Sequence, residues 1–273
     1  MQRQAEKTVR QAAPLVERLA RLGYAAKGAI YCIIGFLAVR VAFSAGGETT
    51  NSQGALVAVG KEPFGQFLLG LLAVGLAGYA IWCLVQAGLD TEHHGSDADG
   101  AIRRLGYVAN GVGYGFLAFI AFQLVTGAVT SGHGNAAQDW TARLMAEPFG
   151  RWLVALIGLG VIGMGLKQIA KSYRSNFREK LMLDEMSQGA QQTALYAAKW
   201  GTAARGVVFA IVGLFLVQAA IHVDPHRVVG LGGALEALTQ QPYGSWLLGA
   251  VALGLMAYGV FMLIQARYRR ITL

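Results

Sequence analysis

A chain of 273 residues in which 55% are apolar and 14% charged, with a mean hydropathy of +0.44, lies outside the range of soluble domains, where about a quarter of residues carry charge. It belongs in lipid. The net charge of +8 needs an explanation from topology or from a partner, and the two cysteines, Cys32 and Cys83, both within apolar stretches, exclude a disulfide framework.

Residues 1–18 carry charges and no apolar core, so no cleaved signal peptide is expected there. Val9, Ala12, Ala13, Val16, Leu19 and Ala20 recur near helical spacing among Arg10, Glu17, Arg18 and Arg21, the pattern of a short helix lying on a membrane surface. Apolar runs follow at Ala25 to Phe43, Phe64 to Leu89, Gly106 to Val129, Trp152 to Ile169, Gly206 to Ile221 and Trp246 to Ile264. At about 1.5 Å per residue most cross a hydrocarbon core of about 30 Å, the fourth and fifth being near the lower limit. Their apolar residues are continuous instead of alternating, which predicts an all-α integral membrane protein with six transmembrane helices and argues against a barrel.

The runs are ordered by repetition. Arg21-Leu22-Gly23-Tyr24-Ala25-Ala26-Lys27-Gly28 returns as Arg104 to Gly111 and, more distantly, as Lys199 to Gly206. Each copy opens a first span, and Glu62-Pro63-Phe64-Gly65, Glu147-Pro148-Phe149-Gly150 and Gln241-Pro242-Tyr243-Gly244 each open a second. The segment 1–18 is thus followed by three two-helix repeats over 19–101, 102–185 and 186–273. Two spans per repeat make the repeats parallel, with any symmetry axis along the membrane normal; a pseudo-threefold ring is the expected arrangement, and an open row of three hairpins the alternative. Repeat-matched glycines among the 37 read as helix-packing surfaces. Proline is expected in the first turn of each second helix, where its missing N–H costs nothing, with the aromatic beside it at the headgroup boundary.

Of the 23 lysines and arginines, only Arg40, Lys61, Arg143, Arg151 and Arg227 fall in the odd-numbered loops and their helix ends. By the positive-inside rule both termini are cytoplasmic, and the excess charge sits on that one side; nucleic acid need not be invoked.

None of the acids falls inside the apolar runs, which argues against a coupled transporter and says nothing against a channel. Polar residues at equivalent positions are the candidate pathway or headgroup contacts: Lys27, Asn110 and Arg205 near the cytoplasmic start of the odd spans, Arg40, Gln123 and Gln218 near their outer ends. Gln86, Lys171 and Gln265 form a third set on the even spans. Snorkelling and interhelical hydrogen bonding is one reading, and polar rings at two mouths of a central path the other. His93 and His94 lie in an acidic loop, and His133, His222 and His226 on the outer side; with Asp139 the last three lack the spacing of a metal motif, so no metal and no cofactor is assigned. No catalytic motif is present, so the chain reads as no enzyme. The segment Phe177 to Met186 reads as a short amphipathic helix at the cytoplasmic surface.

The threefold Leu-Gly-Tyr-x-x-Lys-Gly-like opening and the Pro-aromatic-Gly phrase resemble the bacterial membrane family named domain of unknown function 1206, over about Leu19 to Arg270. The resemblance implies six spans in a bacterial cytoplasmic (inner) membrane and brings no activity, ligand or site residue. The third copy departs most, with Thr202 where the others hold Tyr24 and Tyr107. The leading expectation is a helical scaffold or accessory subunit that interacts with membrane lipids or with a larger membrane complex; the alternative is a passive channel or uncoupled carrier for small anionic or neutral solutes along the threefold axis.

Overall fold

The computed structural model describes residues 2–43, 49–89, 98–128, 136–174, 181–182, 184 and 186–269. Six long helices dominate: α1 (Gln2–Ala42), α3 (Gly65–Leu89), α4 (Ala98–Val125), α6 (Gly150–Arg174), α7 (Gln188–His222) and α9 (Gly244–Tyr268). Each is long and apolar enough to cross a membrane, and the chain is an all-α integral membrane protein with both termini on one side. Among the described residues the only β pairing is an isolated antiparallel bridge between Leu181 and Arg269. The surface helix expected at the N-terminus is not a separate element. It is the start of α1, which runs through Pro14 without a break. The amphipathic helix expected over Phe177 to Met186 lies mostly outside the described residues, and Leu181 is extended, with the Met182 N–H donating to the Tyr268 carbonyl at 2.8 Å.

Between the two spans of every repeat lies a short helix that the sequence did not announce: α2 (Ser52–Gly60), α5 (Ala136–Ala146) and α8 (Leu231–Thr239). Leu56, Thr141 and Leu235, the residues six positions before each Glu/Gln-Pro-aromatic-Gly phrase, are all buried and anchor these helices. The phrase itself is a tight turn. The N–H of Gly65, Gly150 and Gly244 donates to the carbonyl of Glu62, Glu147 and Gln241 at 2.8, 2.9 and 2.8 Å, and the aromatics Phe64, Phe149 and Tyr243 are left-handed at φ 63°, 64° and 60°. Proline at the second position and positive φ at the third are the signature of a type II turn. The prolines therefore stand in the turn and not in the first helical turn, because a left-handed residue separates them from the helix. Glycine must follow: a Cβ on Gly150 would come within 1.7 Å of the Leu144 carbonyl oxygen, and one on Gly244 within 2.2 Å of that of Thr239. The aromatics themselves are left exposed, placed as interfacial anchors on the side opposite the termini.

Packing follows one rule three times. The odd helix of one repeat lies against the even helix of the repeat before it: α4 on α3, α7 on α6 and α1 on α9. Small residues set the register at matching positions. A Cβ on Gly206 would meet the Gly165 carbonyl oxygen at 2.7 Å, one on Gly28 that of Gly259 at 2.8 Å, and one on Gly111 that of Ala80 at 3.2 Å. Close backbone approach of this kind supplies the dispersion contact that holds helices together in lipid. The α1–α9 interface joins the last repeat to the first. Within repeats, α1 packs on α3 and α7 on α9, but α4 and α6 have no comparable contact. The six helices thus follow one another as α4, α3, α1, α9, α7 and α6, with a seam between the two ends of that series. In the closed repeats Gly75 and Gly254 press on Ala26 and Ala204; the matching Gly160, together with Gly106, Gly113 and Gly163, meets nothing within 4 Å.

Candidate functional site

Tyr24, Lys27 and Tyr31 lie on one face of α1, and Tyr79 and Cys83 on one face of α3, because residues three and four apart share a side of a helix. Close approach at Gly23, whose Cβ would collide with Tyr79, lets these two faces meet. Lys27 is only 3% exposed. Its ammonium donates to the Tyr79 hydroxyl at 2.8 Å and lies 4.5, 4.8 and 5.9 Å from the ring centroids of Tyr79, Tyr114 and Tyr258. Arg205 repeats the arrangement on α7: it donates to the Tyr258 hydroxyl at 2.9 Å, with its guanidinium carbon 5.1 Å from that ring, 4.7 Å from Phe209 and 5.8 Å from Tyr31.

The rings lock one another edge to face. Tyr24 and Tyr79 are 5.3 Å apart, and Tyr79–Tyr114 and Tyr31–Tyr258 each 4.8 Å. On the terminal side, Arg269 stacks 4.9 Å from Tyr24, and Arg21 donates to the carbonyls of Ala266 and Arg267 while pairing with Glu17. Glu17, at the extreme end of α1's span, is the sole acid within the spanning stretches. Two cations are therefore held inside the membrane with aromatic faces and phenol oxygens in place of carboxylates. Burying an uncompensated charge costs several kcal/mol, which desolvated cation–π contacts of about 2 kcal/mol each can offset.

The first set of sequence candidates is thus brought together in two of its three members. Asn110 instead donates to the Gly106 carbonyl of its own helix at 2.8 Å. The residue equivalent to Tyr79 and Tyr258 is Met164 in the middle repeat, and it is 54% exposed. Departure at this site therefore belongs to the middle copy, not the third; Thr202 is simply buried in the packing. Arg40 and Gln218 are exposed and Gln123 half-buried near the opposite ends of the odd helices, with no contact uniting them. Gln86 and Gln265 are buried while Lys171 is exposed. The tyrosines went unnoticed in the sequence, although aligning the repeats sets Tyr79 over Tyr258 and Tyr31 over Tyr114 and Phe209.

Elsewhere, an apolar cleft of about 390 Å³ between α5, α6 and α7 is lined by Trp140, Leu144, Val154, Ile157 and Leu216, with Arg143 and Glu147 at its polar edge. Among the described residues no three His, Cys, Asp or Glu side chains converge on a point. His222 contacts the Gln218 carbonyl, the His226 N–H bonds Asp224, and His93, His94 and His133 lie outside the described residues. Both cysteines are free.

Comparison with known proteins agrees with this architecture. The chain is similar to the uncharacterized protein YxxB of Bacillus subtilis (strain 168), at 34% identity over 270 residues, covering 99% of this chain and 97% of that one. No solved structure matches it. Residues 22–90, 105–175 and 200–269 each match the Domain of Unknown Function DUF1206, one match per two-helix repeat, and the chain belongs to that family.

Proposed function

We propose that this protein is a non-enzymatic scaffold or accessory subunit of the bacterial cytoplasmic membrane, with cytoplasmic termini, that works by holding lipid or another membrane protein. The observation that carries this reading is the sealed state of Lys27. A cation 3% exposed, hydrogen-bonded to one tyrosine and stacked by others, is placed to fix helices and not to line a water path. The lack of acids in the spans beyond Glu17 supports it, since proton and sodium coupling depend on intramembrane carboxylates. The excess of Lys and Arg on the terminal side supports the orientation.

The test is reconstitution. Purified protein in sealed vesicles should pass chloride, phosphate and glycerol no faster than empty vesicles. Flux above that background, altered by Arg205→Ala, would replace the scaffold by the second reading, a passive channel or uncoupled carrier, which the meeting of Lys27 and Arg205 on Tyr258 favours.

A further inference from the structure

The cation–tyrosine cluster is built from paired positions, and one pair is missing. Lys27 with Tyr79 and Arg205 with Tyr258 fill two sides; the third, by the repeat, falls to Asn110 and Met164, which form no such pair. These two residues stand on α4 and α6, the helices that flank the seam, and at the same level of the repeat as the two cations. The flanks of the seam are unpacked: Met164 is 54% exposed, and a Cβ added at Gly106 or Gly113 of α4, or at Gly160 or Gly163 of α6, would meet nothing within 4 Å.

Two further observations describe what the site lacks. In lipid a gap beside unpacked Gly106, Gly113, Gly160 and Gly163 is filled by whatever the membrane supplies, since a void forfeits dispersion contacts on every wall. The polar atoms left without partners are donors: Nε of Arg205 is buried and unbonded, as is the side-chain nitrogen of Gln86, a residue 4% exposed that lies two turns along α3 on the face of Tyr79. A pair of cations with no carboxylate, one of them with an orphan N–H, calls for an anion rich in acceptors.

We propose that the seam between α4 and α6 binds one anionic phospholipid, its acyl chain lying against Met164 and the unpacked glycine faces of the two helices and its phosphate drawn towards Arg205, within the field of Lys27. The depth fits a lipid of the terminal-side leaflet. Tyr79 lies fifteen residues from Phe64, about 22 Å along the helix from the opposite interface, so a hydrocarbon core of about 30 Å leaves the site about 8 Å below the nearer headgroups. The guanidinium spans part of that distance and donates in a geometry suited to phosphate. The proposal rests on the lipid-holding form of the scaffold reading and names its ligand.

The experiment is native mass spectrometry of the full chain in detergent, titrated with phosphatidylglycerol or phosphatidylcholine. One phosphatidylglycerol should be retained per chain, with affinity at least about tenfold above phosphatidylcholine, the size of one charged hydrogen bond. Arg205→Met should abolish that preference. Met164→Trp, which fills the seam without touching a cation, should weaken retention of phosphatidylglycerol to a similar degree, and Arg151→Gln, on the far end of α6, should leave it unchanged; thermal melts would establish that each variant is folded. Retention indifferent to both Arg205→Met and Met164→Trp overturns the proposal. Displacement of the lipid by millimolar inorganic phosphate overturns it too, in favour of a small-anion site. Failure of the scaffold reading has a separate signature, solute flux in vesicles.

Discussion

Tyr79 and Met164 hold the same position in successive repeats, yet Tyr79 is 8% exposed and bonded to Lys27, whereas Met164 is 54% exposed on a helix that does not pack against the other helix of its own repeat. Sequence identity at one position thus travels with the closing or opening of an entire helix pair. The packing of α1 on α3 depends on the small residue Gly23 lying under Tyr79, and its counterpart Gly106 has nothing above it.

Lys27 and Tyr79 should respond to substitution with opposite signs. Replacing the buried ammonium by an apolar side chain of like length, Lys27→Met, removes a desolvated charge and should leave the unfolding free energy in detergent unchanged or raised, by up to about 4 kcal/mol. Tyr79→Phe keeps the ring but strands the ammonium, and should destabilise by about 1.5–3 kcal/mol. In the double variant the penalty of Tyr79→Phe should vanish, a coupling that a thermodynamic cycle reads directly.

Glycines of equal composition should differ sharply by place. Gly206→Ala drives a methyl group against the Gly165 backbone and should cost about 1–3 kcal/mol. Gly163→Ala enters open space and should change stability by no more than about 0.5 kcal/mol. Fluorescence-detected unfolding in one detergent distinguishes them.

The turn before α6 predicts a similar contrast. Gly150→Ala should prevent α5 from seating, since no side-chain motion moves the Leu144 backbone. At Phe149, held at φ 64°, glycine should be accepted by the backbone, while valine should cost about 1–2 kcal/mol more than glycine. Protease resistance of the α5–α6 connection is the measurement.

Orientation can be read chemically. Single cysteines placed at Phe64, Phe149 and Tyr243 in a background lacking Cys32 and Cys83 should react with an impermeant maleimide applied to intact cells, because all three aromatics are exposed opposite the termini. Protection of all three until the membrane is broken would reverse the assigned orientation.

The spans and their repetition were legible because unbroken apolar runs have one stable form in lipid, and because Leu22 to Gly28 and its copies recur in order. The length of α7 was not: Ala194, Ala197 and Ala198 extend it far before the apolar run at Gly206, through residues whose helix propensity is high and whose hydropathy is modest. The short helices escaped because they are only nine to eleven residues long and are anchored by a few buried residues, such as Leu56, Thr141 and Leu235. Lys27 and Arg205 were singled out by position in the repeat, but their partners were not. Tyrosine in a membrane helix reads as an interfacial anchor, and only the crossing of α1 with α3, and of α7 with α9, reveals that Tyr79 and Tyr258 point inward. Thr202 drew attention to the third copy because it breaks the repeated phrase, although the consequential changes, Asn110 and Met164, lie in the second.

The contact of α9 with α1, reinforced where Arg21 reaches the Ala266 carbonyl, makes the first and last repeats neighbours, so the order in which the repeats are strung matters little to their packing. A chain permuted to begin at the second repeat would bury the same surfaces. What covalent fusion adds is freedom to be unequal. Three separate copies of one hairpin would carry the same residue at each of the three equivalent positions, whereas a single gene can keep tyrosine at two and methionine at the third, and so make one side of a bundle of like parts different from the others.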